Sequence, residues 1–268
     1  MPGPLPLDCL TPFERLAVRL VRHLNRGRWP RLWCWCQREI GARWISWLAG
    51  PLFEVHGLEH VLATSRDRPL VVVANHRTFF DLYVVATVLF RRTPGWRALN
   101  FPVRGRYFYQ RPGGLLVNGL AAFFAMYPPF FQVPAKRRFD QWALAELAGM
   151  CREGAGRLVG YHPEGTRNKG DDPWALLPPH PGIGRLLHEA APVVVPVFLG
   201  GITQSIPEIL RRRRTGGERI RVRFGPAVAY AAFLERPAEA GTYRELAEHV
   251  MAAVAALAAE DRAAAGRG

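Results

Sequence analysis

Serine is scarce in this chain of 268 residues. Only Ser46, Ser65 and Ser205 occur, and none lies in the Gly-x-Ser-x-Gly turn that presents a serine nucleophile. Cysteine is also rare, and its four copies are Cys9, Cys34, Cys36 and Cys151. Because no two pairs fall at zinc-binding spacing, the cysteines predict reduced cytosolic thiols, not a disulfide framework or a metal site.

Acidic residues are few relative to basic ones. The chain has 36 Lys and Arg against 22 Asp and Glu, which gives a net charge of +14. This excess favours an anionic partner such as a membrane surface, a phosphorylated substrate or a nucleic acid. The N-terminus has no basic segment followed by an apolar one, so no secretory signal is expected.

Charge is absent from residues 112–135. The stretch is long enough to span a bilayer. However, Gly113 and Gly114 weaken its start, and Pro128 and Pro129 interrupt its end. The sequence therefore favours a buried or membrane-facing hairpin over a transmembrane span.

Residues 11–50 hold five of the eight tryptophans and eight arginines. Within residues 13–24, Phe13, Leu16, Leu20 and Leu24 recur at helical spacing with arginines between them. Residues 31–50 form a second predicted helix. Basic amphipathic helices with tryptophan suit a membrane interface. The alternative is a helical hairpin packed on the core with solvated arginines.

From residue 51 onward, short β-branched runs alternate with helical patterns. The runs are 70–75, 156–161, 192–200 and 219–225, and the helices lie at 79–90, 137–154 and 182–190. This alternation predicts an α/β fold with a mostly parallel central sheet flanked by helices, preceded by the N-terminal two-helix element. Three segments are expected: 1–50, 51–240 and 241–268, the last being a helix that opens with a capping box at Thr242 and Glu245.

Two polar groups follow apolar runs. In NHRTFFD, at residues 75–81, a helix capped by Thr78 would leave His76 in the turn and place Asp81 in the first helical turn. The carboxylate could then orient the imidazole as a general base. An ordinary turn histidine is the alternative.

The second group, VGYHPEGTRNKG at residues 159–170, also ends a strand-like run. Ligands bind at strand ends in open α/β sheets. Gly165 allows close backbone approach, Arg167 offers a fork of donors for phosphate, and Glu164 could accept from a substrate hydroxyl. A charged turn with a Glu–Arg pair is the alternative.

Together, NHRTFFD and HPEGTR resemble the first and third motifs of the glycerophospholipid acyltransferases. PVVVPV at residues 192–197 resembles their last block, and the resemblance covers residues 55–230. It implies that His76 is the general base with Asp81 as its partner. It also implies an acceptor site, for which the expected residues are Glu164, Gly165, Thr166, Arg167, Arg104, Arg137 and Arg138. The last two are expected because Gln132 stands where the family has an arginine.

The resemblance implies an O-acyltransferase that moves a fatty acyl group from acyl-CoA or acyl carrier protein to a lysophospholipid or related glycerol-phosphate acceptor. With no nucleophile in either motif, direct transfer without a covalent intermediate is expected. The alternatives are an acyl thioesterase and a non-catalytic lipid-surface protein. No metal or cofactor and no nucleic acid partner are expected. We expect a peripheral or monotopic protein at the cytoplasmic face of an anionic membrane.

Overall fold

The computed structural model describes residues 3–65 and 67–266. The strands are β1 (Phe53–His56), β2 (Leu70–Ala74), β3 (Ala98–Asn100), β4 (Val103–Arg104), β5 (Pro129–Phe130), β6 (Arg157–Tyr161), β7 (Val193–Gly200) and β8 (Ile220–Phe224). The first six helices are α1 (Pro12–Leu24), α2 (Trp29–Cys36), α3 (Ala42–Ala49), α4 (Leu58–Leu62), α5 (Asp81–Arg92) and α6 (Gly105–Phe108). The others are α7 (Pro112–Ala122), α8 (Arg137–Arg152), α9 (Gly182–Ala190), α10 (Ile206–Thr215), α11 (Ala231–Leu234) and α12 (Ala240–Ala265).

Six strands form the central sheet in the order β1-β8-β7-β2-β6-β3. Every neighbouring pair is parallel except β7 and β8. β4 and β5 form a separate parallel pair. The predicted α/β fold with a mostly parallel sheet is therefore confirmed.

The sheet is covered on both faces, which explains why its central strands are apolar throughout. In β2, Val72 and Ala74 face the layer that contains α3 and α5. Val71 and Val73 face the layer that contains α8, α9 and α12. Every residue of β2 and β6 is buried, and the site described below lies just beyond these two strands.

The first N-terminal helix packs on the core with a different face from the one predicted. Ala17, Val18 and Val21 are fully buried, whereas Leu16 and Leu20 are 62% and 42% exposed. Two buried carboxylates, one on α1 and one on α8, account for this difference in the buried face of α1.

Glu14 of α1 pairs with Lys136 at 2.5 Å, and Glu146 of α8 pairs with Arg26 at 2.7 Å and Arg22 at 3.4 Å. Glu14 and Glu146 are both buried. Because buried carboxylates need such partners, they fix which side of α1 faces the core. The arginines of α1 are thus partly structural, as in the packed-hairpin alternative.

The second N-terminal segment, from α2 to α3, contains a π-helical turn at Gln37–Gly41. Its exposed apolar residues are Trp29, Leu32, Trp35, Ile40, Trp44 and Trp47. Successive members of this set are three or four residues apart, except for Trp35 and Ile40, which are five residues apart across the π turn. Because a π turn takes up an extra residue, it keeps the two helices' apolar residues on one side. We call these six residues the tryptophan face.

The uncharged stretch folds as α7 followed by a return through β5. Within the described residues, none of the helices is long and apolar enough to cross a membrane. The preference for a hairpin over a span is consistent with this arrangement. α7 leaves Leu116, Val117 and Leu120 exposed.

The C-terminal helix begins at Ala240, earlier than predicted, so Thr242 lies inside it and does not cap it. The expected capping box is therefore wrong. Glu245 instead pairs with Arg236 at 2.7 Å. The predicted core positions Leu246, Val250, Val254 and Leu257 are all buried.

Asp261 anchors the C-terminal helix to the sheet. The carboxylate is fully buried and accepts hydrogen bonds from Arg221, Arg223 and Trp174 at 2.8–3.0 Å. Burial by itself would raise the pKa of Asp261, but these donors hold it below its ordinary value.

We expect Asp261→Ala to lower the free energy of unfolding by about 3 kcal/mol, because two partly buried guanidinium groups lose the buried carboxylate that they share. Urea unfolding of the variant measures this loss. Glu260→Ala, at the exposed neighbouring position, is the control and should change stability by less than about 0.5 kcal/mol. Equal effects of the two substitutions would contradict this role of Asp261.

Candidate active site

Both polar motifs begin where neighbouring parallel strands end. Asn75 and His76 follow β2, and His162 follows β6. Because β2 and β6 are paired in parallel, their carboxyl ends meet at one edge of the sheet. This is where ligands bind in open α/β sheets.

Asn75, a polar residue that directly follows the apolar strand β2, has a structural role. Its side-chain amide donates to the carbonyl of Leu199 at 3.0 Å, and its oxygen accepts from the Leu199 N–H at 2.8 Å. The side chain therefore extends the pairing of β2 with β7 by one position and keeps the following turn in place.

His76 and Asp81 form the expected pair, with 3.0 Å between Nδ1 and Oδ2. Asp81 is fully buried. Its carboxylate also accepts from the backbone N–H groups of Arg77 and Thr78 and from the Thr78 hydroxyl, at 2.6–3.1 Å. Since a carboxylate only accepts, Nδ1 of His76 carries the proton and Nε2 is left as the basic nitrogen.

The helix after this turn starts later than the cap prediction implied. α5 begins at Asp81 itself, although the Thr78 hydroxyl does accept from the Phe80 N–H at 3.1 Å. The backbone N–H groups of Arg77 and Thr78 are engaged by Asp81, and that of Phe80 by Thr78.

Glu164 holds the backbone of His76. One carboxylate oxygen accepts from the His76 N–H at 2.7 Å, and the other accepts from the Leu177 N–H at 2.9 Å. Glu164 is 2% exposed, and burial raises its pKa although the two N–H donors oppose this. In this geometry Glu164 holds the backbone of His76 and is not among the residues that line the cavity described below, which differs from the expectation that it contacts an acceptor. The Asn168 N–H donates to the His76 carbonyl at 2.7 Å, so the loop after β6 binds both the N–H and the carbonyl of His76.

A cavity of about 850 Å³ opens beside His76. Its apolar and aromatic lining includes Phe79, Leu82, Tyr83, Phe101, Val103, Phe108, Met126 and Phe130. Three basic side chains, those of Arg104, Arg167 and Lys169, also line it. Among the described lining residues none is acidic, so the cavity suits a molecule with an apolar chain and an anionic group.

Most of the predicted acceptor residues reach this cavity. Gly165, Thr166, Arg167 and Arg104 line it, and Gly165 adopts a left-handed backbone with a φ of 61°. A Cβ at Gly165 would lie 2.6 Å from the ring of His180. Gln132, at the place of the family's arginine, also lines the cavity.

Arg137 and Arg138 are not among the lining residues. They open α8, and Arg138 instead pairs with Asp8 of the N-terminal segment at 3.2 Å. Lys169, which lines the cavity, was not among the predicted residues. Its place in the same post-strand loop as Arg167 is the signal that could have identified it.

His162 stacks on His76, with ring centroids 3.9 Å apart and planes 8° from parallel. Ligand atoms of His76, Asp81 and His162 lie within 4.8 Å of one another. Stacked rings direct their in-plane lone pairs along parallel planes, so they do not converge on one ion. Burial lowers the pKa of His162 to about 3, and the neighbouring His76 adds to this effect.

This lowered pKa gives a pH-dependent stability. An unfolded histidine titrates near 6.5, so between that pH and about 3 only the unfolded chain binds the proton at residue 162. The contribution of His162 to the free energy of unfolding is therefore fully present above about pH 6.5 and is lost as the pH falls below it. Replacing His162 with phenylalanine should make the loss of unfolding free energy between pH 7.5 and 5 smaller by about 1–2 kcal/mol. Urea unfolding at both pH values measures it, and equal losses in the two proteins would refute it.

Comparison with known proteins places this site in a family. The acyltransferase family model matches residues 52–200, more than half of the chain. The crystal structure of the 1-acyl-sn-glycerophosphate (LPA) acyltransferase PlsC from Thermotoga maritima is similar to this fold, with a TM-score of 0.55 and 19% identity. The match covers 92% of this chain and 87% of that one. No curated protein sequence matches the chain. On the match to the family model, the chain belongs to the acyltransferase family.

Proposed function

We propose that the protein transfers a fatty acyl group from acyl-CoA or acyl carrier protein to the hydroxyl of a lysophospholipid or related glycerol-phosphate acceptor. The observation that carries this proposal is the His76–Asp81 pair at a cavity that is lined by both apolar and basic side chains. The apolar side chains suit the acyl chain, and the basic ones suit the acceptor's phosphate. The similar Thermotoga maritima protein is described as a 1-acyl-sn-glycerophosphate acyltransferase, which agrees with such an acceptor.

The reaction follows from the free nitrogen of His76. Nε2 takes the proton of the acceptor hydroxyl as the oxygen attacks the thioester carbonyl. Asp81 stabilises the imidazolium that forms. When the tetrahedral intermediate collapses, the carbon–sulfur bond breaks and the proton passes from His76 to the leaving thiolate.

The groups around the base support direct transfer. Thr78 is buried and its hydroxyl donates to Asp81 at 2.6 Å, so it is not free to attack. Neither serine nor cysteine occurs among the described residues that line the cavity. The acceptor's own hydroxyl is therefore the nucleophile in this proposal.

The direct test is an assay of purified protein with labelled acyl-CoA or acyl carrier protein and 1-acylglycerol 3-phosphate. The expected result is diacylglycerol phosphate and free thiol in a 1:1 ratio. Thiol release without ester formation would instead identify a thioesterase. No turnover with either donor, together with binding to liposomes, would identify a lipid-surface binding protein.

We propose that the tryptophan face docks the protein on an anionic membrane, as a peripheral or monotopic protein of the cytoplasmic face. Indole rings favour headgroup depth, and arginines such as Arg43 lie between the apolar residues of this segment. α7 exposes further leucines, so both elements can contribute apolar contact. The free thiols of all four cysteines fit a reducing compartment.

Trp44→Ser combined with Trp47→Ser should weaken binding to vesicles of phosphatidylcholine and phosphatidylglycerol by about tenfold or more, because two exposed indoles no longer enter the interface. Cosedimentation measures the partition coefficient. Leu62→Ser is the matched control, since Leu62 is also exposed but lies in α4, outside the tryptophan face. Unchanged binding of the double variant would rule out docking through this face.

A further inference from the structure

The stacking of His162 on His76 has a chemical consequence for the base. The ring of His162 is fixed by a hydrogen bond of 3.0 Å between its Nδ1 and the carbonyl of Ala74. Ala74 ends β2 and Tyr161 ends β6, so this bond ties together the two strand ends that carry the motifs. Since a carbonyl only accepts, Nδ1 bears the proton.

The stack can hold one positive charge but not two. A cation is attracted to the face of a neutral aromatic ring, and the attraction grows when water is excluded. A second cation at 3.9 Å would repel the first. His76 has the carboxylate of Asp81, whereas His162 faces a backbone carbonyl, so the charge belongs on His76.

We propose that His162 is a positioning residue for His76: its neutral ring holds the base by stacking and stabilises the positive charge that the base acquires during transfer. This inference rests on the proposed function, in which His76 accepts the hydroxyl proton. It gives a role to the histidine that opens HPEGTR, which neither the motif comparison nor the sequence pattern assigned.

Other charged or titratable groups surround this pair. Those that contact the pair or its turn are Asp81, Glu164 and Arg77, and those that line the adjoining cavity are Arg104, Arg167, Lys169 and His180. Substitutions at position 162 leave all seven side chains in place. A comparison of variants at this position therefore isolates the contribution of the stacked ring.

The experiment compares His162→Phe with His162→Leu. Both side chains are apolar and both remove the bond to Ala74, but only phenylalanine keeps an aromatic face. We expect kcat of His162→Phe to stay within about threefold of the wild type, and kcat of His162→Leu to fall by about 3- to 30-fold. Circular dichroism and thermal melts establish that both variants are folded.

The pH profile separates stabilisation of the charge from simple packing. In His162→Leu the acid limb of kcat/KM should move to lower pH by about half to one unit, because the cationic form of the base loses its neighbour. In His162→Phe the acid limb should stay where it is in the wild type. Packing alone would change the rate without moving the limb.

A readout without turnover keeps this test separate from the proposed function. NMR titration of the His76 ring, assigned with a His76→Gln variant, measures the pH midpoint of that ring. Relative to the wild type, this midpoint should be lower in His162→Leu and unchanged in His162→Phe. Equal midpoints and equal rates in the two variants would overturn the inference. So would a His162→Phe variant as impaired as His162→Leu, because the bond to Ala74 would then be the contribution that matters. If the midpoints differ as expected but His76→Gln still transfers acyl groups, the role of His76 as the base in the proposed function fails and the stacking interaction stands.

Discussion

Replacing His76 with alanine should lower kcat/KM for acyl transfer by about 10²- to 10⁴-fold, the range for loss of a general base. Nε2 is the basic nitrogen at the cavity, because Nδ1 is engaged by Asp81 at 3.0 Å. Alanine removes the proton acceptor without burying a new polar group. The measurement is the initial rate of ester formation from labelled acyl-CoA over a range of acceptor concentrations.

His188→Ala is the matched control for this prediction. His188 lies in α9, is half-buried, has a ring contact with the Arg236 carbonyl, and is not among the residues that line the cavity. Its replacement should leave the rate within about twofold of the wild type. Transfer by His76→Ala at a rate close to that of His188→Ala would show that another group acts as the base.

Asp81→Asn should lower kcat by about 10²- to 10⁴-fold with a much smaller change in KM. In the proposed mechanism the carboxylate orients His76 and balances its charge in the transition state, and it is not among the residues that line the cavity. An amide cannot supply that charge. Its NH₂ group would also face the N–H donors of Arg77 and Thr78.

The control for this variant is Asp171→Asn, at an exposed position of the loop that follows HPEGTR. Asp81→Asn should also lose stability, because the buried carboxylate accepts from the N–H groups of Arg77 and Thr78 in the turn before α5. The two effects are separated by measuring kcat at a temperature where urea unfolding shows both variants folded. A rise in KM with an unchanged kcat would argue that Asp81 serves binding and not the chemical step.

The sheet and the position of the turn that holds His76 could be predicted because local pattern determines them. β2, β6 and β7 are continuous apolar runs, and such runs become buried parallel strands when helices cover both faces. Two motifs that follow such strands must then meet at one sheet edge. β1 and β3 were missed because they are short and lie at the two edges of the sheet, where the pattern is weaker.

The remaining differences come from contacts that are distant in sequence. The buried face of α1 depends on Glu146, more than a hundred residues away, which binds Arg22 and Arg26. The role of Glu164 depends on its hydrogen bond from the His76 N–H, which joins the loop after β6 to the turn after β2. Periodicity and motif spacing carry no information about such pairs. From sequence alone, a carboxylate that binds the backbone of His76 cannot be distinguished from one that contacts an acceptor.

Thiol release in a single turnover, with enzyme in excess over acyl-CoA, distinguishes direct transfer from a covalent intermediate. If transfer is direct, thiol and ester appear together and only when the acceptor is present, because the acceptor hydroxyl is the group that His76 activates in the proposed mechanism. The intact mass of the protein should stay unchanged throughout. Release of one equivalent of thiol without acceptor, with the mass of an acyl group added to the protein, would contradict direct transfer.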